Sequence, residues 1–346
     1  MGGGVKRIRM RIFETMMKLL FKAIIIISLL LSFSVFGQQF EKKNMEGKQW
    51  ARGILHTHAR EGESDSSVDN VIRWYKDHNY QFVVITDHNV ISCPKDESLK
   101  SSSDFCLISG EEITGFGGAI DFEINGFNVK DAIQPLHGQD VPTVLQACID
   151  SVRAQGGVPM INHPNYQWRL DGETILNTKN CYLFEMHNAF PGVNNEGDAN
   201  HPDLETAWDF MLTNGKHIYG VATDDAHSYF EFSPDLSNPG RGWVVVRTPS
   251  LKTEDILKNL EAGLFYSSTG VEVEAVLVEP KRMTITIMEK EDVLYSTEFI
   301  GSNGEILATT KDNPAIYNLT NETCYVRARV NSSKGDYAWI QPVFVE

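Results

Sequence analysis

The chain has 346 residues, 42% of them apolar, which is enough for one large core and a small extra domain. Its 46 acidic against 31 basic residues give a formal charge of −15. Such a surface disfavours nucleic acid and anionic membranes as partners, although metal charge in a pocket can still attract an anionic substrate.

The first 37 residues read as an export signal. Lys18 and Lys22 precede the apolar run Ala23 to Leu31, and Val35-Phe36-Gly37 supplies a cleavage-like end, with Gln38 as the mature start. The run is just short of a comfortable membrane span, so an uncleaved anchor is the alternative. Met16-Met17-Lys18 would begin a more ordinary signal and is a second candidate start. Without residues 1–37, which carry six basic side chains and one acid, the net charge becomes about −20. We therefore expect an exported, periplasmic or extracellular protein with no stable membrane association after cleavage. Residues 38–50 are polar and read as a linker.

From residue 51 to 270 apolar strand-like runs alternate with amphipathic helices. Gly53-Ile54-Leu55 is followed by a helical stripe of Val68, Val71, Ile72 and Tyr75, then by the buried run Phe82 to Ile85. Val141, Val144, Leu145, Cys148, Ile149 and Val152 form the next helical stripe. Gly156-Gly157 stops it before Val158 to Ile161. Tyr182-Leu183-Phe184, the helix around Leu204 to Met211, the strand Ile218 to Ala222, Trp243 to Val246 and the helix around Ile256 to Leu260 complete the series. Alternation of this kind predicts a largely parallel sheet, and the number of units favours a barrel over an open sheet. From 271 to 346 the helical period vanishes. Short strand-like runs separated by Gly301 to Gly304 and Ser332 to Gly335 predict a small antiparallel β domain.

Five cysteines lack any CxxC spacing, so no thiolate zinc site is indicated. In an exported protein Cys93 and Cys106 could close the loop between them, whereas Cys148, on an apolar helical face, reads as a buried free thiol.

Chemistry is concentrated at strand ends. His56-Thr57-His58, Asp87-His88, Glu112, His163 and Asp225-Ala226-His227 each follow an apolar run. Side chains alternate along a strand, so His56 and His58 point to one side, as do Asp225 and His227. Imidazoles and carboxylates delivered repeatedly from strand ends suit a cluster of zinc, manganese or iron that activates water.

The blocks Leu55-His56-Thr57-His58, Ile85-Thr86-Asp87-His88-Asn89, Gly110-Glu111-Glu112-Ile113-Thr114, Asn162-His163-Pro164, Phe184-Glu185 with Asn188, Thr223 to His227 and Phe265 to Gly270 resemble the PHP superfamily of metal-dependent phosphoesterases, in a secreted branch similar to carbaryl-hydrolase-like proteins. The resemblance spans about Leu55 to Gly270. It implies a distorted (β/α)7 barrel holding two or three divalent ions (Zn, Mn or Fe), with His56, His58, His88, Glu112, His163, Asp225 and His227 as ligands and Glu112 bridging. Two positions depart from the pattern. Glu63, with Asp65 close by, stands where an Asp is usual, and Glu123 replaces a His, which leaves the metal count open. The implied nucleophile is a metal-bridged hydroxide, with His227 or Asp225 assisting proton transfer to the leaving group.

Other residues are candidate substrate contacts: Asn89, Asn165, Arg169, Asn188, and His187, for which an exposed pocket role is expected. Arg169, Arg241 and Arg60 are candidate oxyanion clamps. The expected function is an exported metal-dependent hydrolase of small phosphoesters. The alternatives are hydrolysis of carbamates, amides or carboxylic esters, or a non-catalytic binding module.

Overall fold

The computed structural model describes residues 49–345; the signal at 1–37 and most of the linker at 38–50 lie outside the described residues. Among the described residues no helix is long and apolar enough to cross a membrane.

The chain begins with β1 (Gln49–Ile54), α1 (Val68–Asp77), β2 (Phe82–Val84), β3 (Cys106–Ile108), β4 (Gly110–Gly117), β5 (Ile120–Phe127) and β6 (Leu136–Gly138). It continues through α2 (Val141–Ala154), β7 (Val158–Ile161), α3 (Gly172–Leu176), β8 (Leu183–Asn188), α4 (Leu204–Thr213), β9 (Tyr219–Thr223), β10 (Trp243–Thr248), α5 (Thr253–Glu261) and β11 (Phe265–Ser268). Seven strands follow: β12 (Val273–Glu279), β13 (Arg282–Ile287), β14 (Tyr295–Ile300), β15 (Ile306–Thr310), β16 (Ala315–Asn318), β17 (Tyr325–Ser332) and β18 (Tyr337–Phe344). The helices start where the sequence supplies caps. The side chains of Ser67, Asp140, Asp171 and Asp203 accept from the backbone N–H three residues on, at α1, α2, α3 and α4.

The class is mixed α/β, as expected, with many strands and few helices. The ladders form one nine-stranded sheet (β15-β14-β17-β18-β11-β10-β1-β2-β3), one six-stranded sheet (β6-β4-β5-β7-β8-β9) and one three-stranded sheet (β12-β13-β16). They do not run as one continuous barrel ladder. β1–β2–β3 and β7–β8–β9 are parallel, but β5 is antiparallel to both its neighbours β4 and β7. Isolated parallel bridges, Thr57 to Ala226 and His88 to Glu112, join the two large sheets where their strands end. Gly110 permits this approach, since a Cβ there would run into the Val84 side chain.

The two large sheets face each other through Ala51, Leu55, Phe82, Val84 and Ile108 on one side and Phe127, Met160, Leu183 and Val221 on the other, all buried. α2 and α4 cover the outer face of the six-stranded sheet with Leu145, Cys148, Ile149, Trp208 and Met211. The region after residue 271 is antiparallel, and β18 pairs with β11, so this part extends the nine-stranded sheet. It shares a core with the start of the chain, where Ile54, Val83 and Tyr75 sit in one cluster with Met283, Phe299 and Val326. Trp339 is buried.

All five cysteines are free thiols, which corrects the pairing considered for Cys93 and Cys106: the first is exposed and the second buried on β3. Cys148 is buried, and burial pushes its thiol up to about 12.

A buried charge network fastens β17 to α4. Arg327 donates through Nε and Nη2 to the two oxygens of Asp209 (2.7 and 2.6 Å) and through Nη1 to Glu205 (2.8 Å). Glu205 also accepts from Arg329 Nη1 at 2.7 Å and Trp339 Nε1 at 3.0 Å. Burial raises the Glu205 carboxyl, but the Arg327 and Arg329 guanidiniums outweigh it and hold the carboxyl below its usual range. A depressed carboxylate stabilises the fold above its unfolded value, and that contribution is lost as the pH falls through the lower folded value. Thermal stability should therefore decline on acidification below about pH 4.3, the ordinary value for Glu. Glu205→Gln should lower stability at neutral pH and flatten that part of the acid limb; an identical pH profile in the variant would contradict the assignment.

Candidate metal centre

The strand ends build the site by alternation. After β1, His56 and His58 point into the space between the sheets while Thr57 points away. Thr57 Oγ1 lies 3.0 Å from the Tyr75 hydroxyl and in very short contact with that of Tyr229. Tyr75 donates to Asp224 at 2.9 Å, and Gly240 N–H donates to the same carboxylate at 2.7 Å. This buried network holds the His-x-His segment in register from behind. Burial pushes the Asp224 carboxyl up to about 8.

Glu112, on β4 and 1% exposed, is the centre of the cluster. Its Oε2 lies 3.3 Å from His56 Nε2, 3.3 Å from His58 Nε2 and 3.3 Å from His88 Nδ1. Its Oε1 lies 3.2 Å from His163 Nε2 and accepts from Asn162 Nδ2 at 2.7 Å. Asp225 Oδ1 lies 3.2 Å from His56 Nε2 and 3.1 Å from His58 Nε2. His227 stacks on His58 with ring centroids 4.1 Å apart, and its Nδ1 donates to the Asp225 carbonyl at 2.8 Å. Asp225 adopts φ 48°, a left-handed conformation that non-glycine residues rarely hold unless their surroundings enforce it.

The donor set fits divalent cations. His58 Nδ1 and Asp225 Oδ1 are buried polar atoms without a hydrogen-bond partner, and such atoms call for a missing partner. The two Nε2 atoms of His56 and His58 are 3.2 Å apart. Together with the Glu112 and Asp225 contacts above, this matches the edge of about 3.3 Å that four ligands adopt around an ion bound at about 2.0–2.1 Å. Groups of three ligand atoms within reach of one ion are His56–His58–Glu112, His88–Glu112–Glu123, His58–Glu63–Asp87, His58–His88–His227 and His56–His163–Glu185. The protonation balance agrees. Burial opposes charge on the imidazoles, yet the Glu112 and Asp225 carboxylates raise His56 and His58 well above the ordinary value, and Glu112 raises His163 to about 9. Burial alone would raise Glu112, but His56 and His88 hold it well below its usual range. Protons there take the place that cations would fill, so ion binding should release them.

Of the expected ligands, His56, His58, His88, Glu112, His163, Asp225 and His227 gather at one place. Glu63 joins them: its Oε2 is 3.5 Å from His58 Nδ1 and accepts from His88 N–H at 3.0 Å. Asp65 does not, because its carboxylate accepts from Tyr229 N–H at 2.9 Å and pins the loop after His227. Glu123 reaches the edge, with Oε1 3.9 Å from His88 Nδ1 and Oε2 3.7 Å from His163 Nε2. Arg169 stands beside it, bound to Asp121 at 2.9 Å and to Glu123 at 3.4 Å.

Several of the expected substrate contacts have their polar groups engaged within the chain or turned from the cluster. His187 faces away from the cluster, against Trp339 at 5.5 Å, because a bulge in β8 at Met186 breaks the alternation after Glu185. Burial lowers the His187 imidazole to about 4; the side chain is partly exposed and lines a separate pocket with Glu205, Arg327 and Trp339. The Asn89 amide is taken by Thr114 (3.0 and 2.9 Å), and Asn165 is taken by the Asn194 and Pro202 carbonyls (both 3.0 Å). Asn188 is committed to Glu185, Asp225 and Phe190 N–H. Arg241 serves loop carbonyls, and Arg60 is exposed beside Glu63.

Two further carboxylates, Asp87 and Glu185, lie in the blocks singled out in the sequence but outside the expected ligand set, and both support the cluster. Glu185, fully buried, accepts from His56 Nδ1 (2.6 Å), Thr223 Oγ1 (2.7 Å), His163 N–H (2.7 Å) and Asn188 Nδ2 (2.8 Å). It thereby directs the His56 Nε2 lone pair to the cluster. Asp87 accepts from Ala59 N–H (2.8 Å) and Arg60 N–H (3.0 Å) and from the Ser92 hydroxyl. The available signal was a carboxylate inside an apolar strand, which must find partners when buried. Glu185→Gln should weaken divalent-metal affinity about 10- to 100-fold. Competition with a chromophoric chelator measures this, and wild-type affinity in the variant would contradict the supporting role.

No protein-family model matches the chain, and no curated protein matches it. Among solved structures it is similar to a two-domain protein from Bacteroides vulgatus ATCC 8482 described as containing a predicted PHP-like metal-dependent phosphoesterase. That match has 15% identity, a TM-score of 0.47, and covers 86% of this chain and 96% of that one. It is also similar to an amidohydrolase from Chromobacterium violaceum with bound sulfate and no metal, at 13% identity and a TM-score of 0.39, covering 55% of this chain and 94% of that one. Both likenesses are low, and the reading that follows stands on the site's own donors.

Proposed function

We propose that the chain is a metal-dependent hydrolase and, within that class, a phosphoesterase acting on a small molecule. The observation that carries this reading is the buried Glu112 carboxylate, surrounded at 3.2–3.3 Å by nitrogens of His56, His58, His88 and His163. Two or three ions of zinc, manganese or iron type would be held by His56, His58, Glu63, His88, Glu112, Glu123, His163, Asp225 and His227. When bound, such ions supply Lewis acidity that polarises a substrate oxygen and acidifies water.

The chain's own residues do the rest. Glu185, Asn162 and Asn188 fix the orientation of His56, Glu112 and Asp225, so little reorganisation remains at the moment of reaction. His227 lies at the edge of the cluster, its side chain 26% exposed, with Nδ1 committed to the Asp225 carbonyl, so its Nε2 either would ligate an ion or, where it does not, would hold or hand over a proton. Arg169 offers positive charge at the edge beside Glu123 for an anionic substrate. The proposal extends to three finer points: the two sheets and their bridges form a distorted barrel, the likeness reaches the carbaryl-hydrolase-like branch, and the protein is exported through its 1–37 segment.

The test compares an aryl phosphate with an aryl carboxylic ester, before and after chelation and re-addition of Zn²⁺ or Mn²⁺. Phosphate turnover that disappears with chelation and returns with metal supports the reading. Turnover of the carboxylic ester alone would replace it with a carbonyl hydrolase. No turnover of either would leave a binding module.

A further inference from the structure

Two aromatic rings stand at the mouth of the cluster and take no part in holding it. Tyr166 follows His163 in a tight turn, with its N–H donating to the His163 carbonyl at 2.9 Å. Its ring lies edge-on to His163, with centroids 5.4 Å apart, and edge-on to Phe190 at 6.0 Å. Phe190 in turn lies edge-on to His227 at 5.6 Å. The rings therefore make a continuous wall from one cluster histidine to another. The backbone under the wall is fixed. Tyr166 bridges Val193, Val193 N–H donates to the Phe190 carbonyl at 3.0 Å, and Phe190 N–H donates to Asn188 Oδ1 at 2.8 Å. Both rings are only half-buried, so part of each remains exposed beside a dense polar site. The Arg169 guanidinium, paired with Asp121 and Glu123, lies over the Tyr166 ring at 4.8 Å from its centroid, which places a cation beside the wall.

We propose that Tyr166 and Phe190 form a specificity subsite for a planar, apolar group attached to the anionic centre of the substrate, so that aryl rather than alkyl esters are preferred. A ring docked there meets Tyr166 and Phe190 in the edge-to-face or offset arrangements aromatic pairs favour, while its anionic head faces the cluster and Arg169. The proposal rests on the hydrolase reading for what is turned over, but not for what is bound.

The experiment is calorimetric titration of the full chain, with Zn²⁺ or Mn²⁺ added, using phenylphosphonate and methylphosphonate, which share a head group and resist hydrolysis. Wild type should bind phenylphosphonate about tenfold more tightly. In Phe190→Ala the ratio should fall to about twofold, and Phe190→Leu, which keeps apolar bulk and protects the fold, should also lose most of it. Equal affinities in wild type, no binding of either phosphonate, or a ratio unchanged in both variants would overturn the subsite. Phenyl phosphate turnover is read alongside. A phenyl preference without phenyl phosphate turnover upholds the subsite and defeats the phosphoesterase reading. Turnover without a phenyl preference does the reverse.

Discussion

His56→Ala should lower aryl phosphate turnover by at least about 10³-fold while leaving the far-ultraviolet circular dichroism of the folded chain in place. His56 is fully buried and joins three carboxylates: Nδ1 is held by Glu185 and Nε2 faces both Glu112 and Asp225. Removing it takes away a donor and leaves three buried carboxylates with less positive charge between them. Bound ions supply several kcal/mol of charge stabilisation, and each 1.36 kcal/mol is a factor of ten in rate. Asp225→Ala should behave similarly, since its Oδ1 faces both His56 and His58. Steady-state turnover together with metal content checks the prediction. Full activity in both variants would remove the cluster from the mechanism.

Arg327→Ala should cost about 3–5 kcal/mol of stability, the penalty for stranding a buried charge. Arg327 is 1% exposed, lies against the Trp208 ring at 4.9 Å, and bonds both oxygens of Asp209. Without it Asp209, 5% exposed, keeps only the Tyr325 hydroxyl, at 2.7 Å, from this network. Replacing both partners by apolar residues of similar size should cost much less than the single change, because no unpaired charge then remains. Urea denaturation of the three proteins measures this. A loss below about 1 kcal/mol in Arg327→Ala, the value of an exposed pair, would contradict the network's structural weight.

The site was legible in the sequence to the extent that it depends on strand ends. His56 and His58 two apart, His88 and His163 after apolar runs, and Asp225 with His227 all reach one cluster because parallel strands deliver their ends to one side. The supports were less legible. Glu185 sits between Phe184 and Met186 in a run that reads as plain strand, and only the fold brings His56 from 129 positions away to meet it. That His187 turns away from the side taken by Glu185 was not readable, because a bulge leaves no period-two trace. Asn89, Asn165 and Asn188 have the chemistry of substrate contacts, but Thr114, distant carbonyls and Asp225 consume their amides. The alternation of strands and helices announced a mixed α/β chain. Strand order was not readable, since β5 turns antiparallel and β18 joins β11 across some 70 residues of chain.

The most direct test of the central claim is elemental analysis of the purified chain after dialysis with Zn²⁺ or Mn²⁺. Two or more equivalents of divalent metal, falling below one in His56→Ala, is the predicted result. A wild-type chain that retains no metal after this loading would contradict the account.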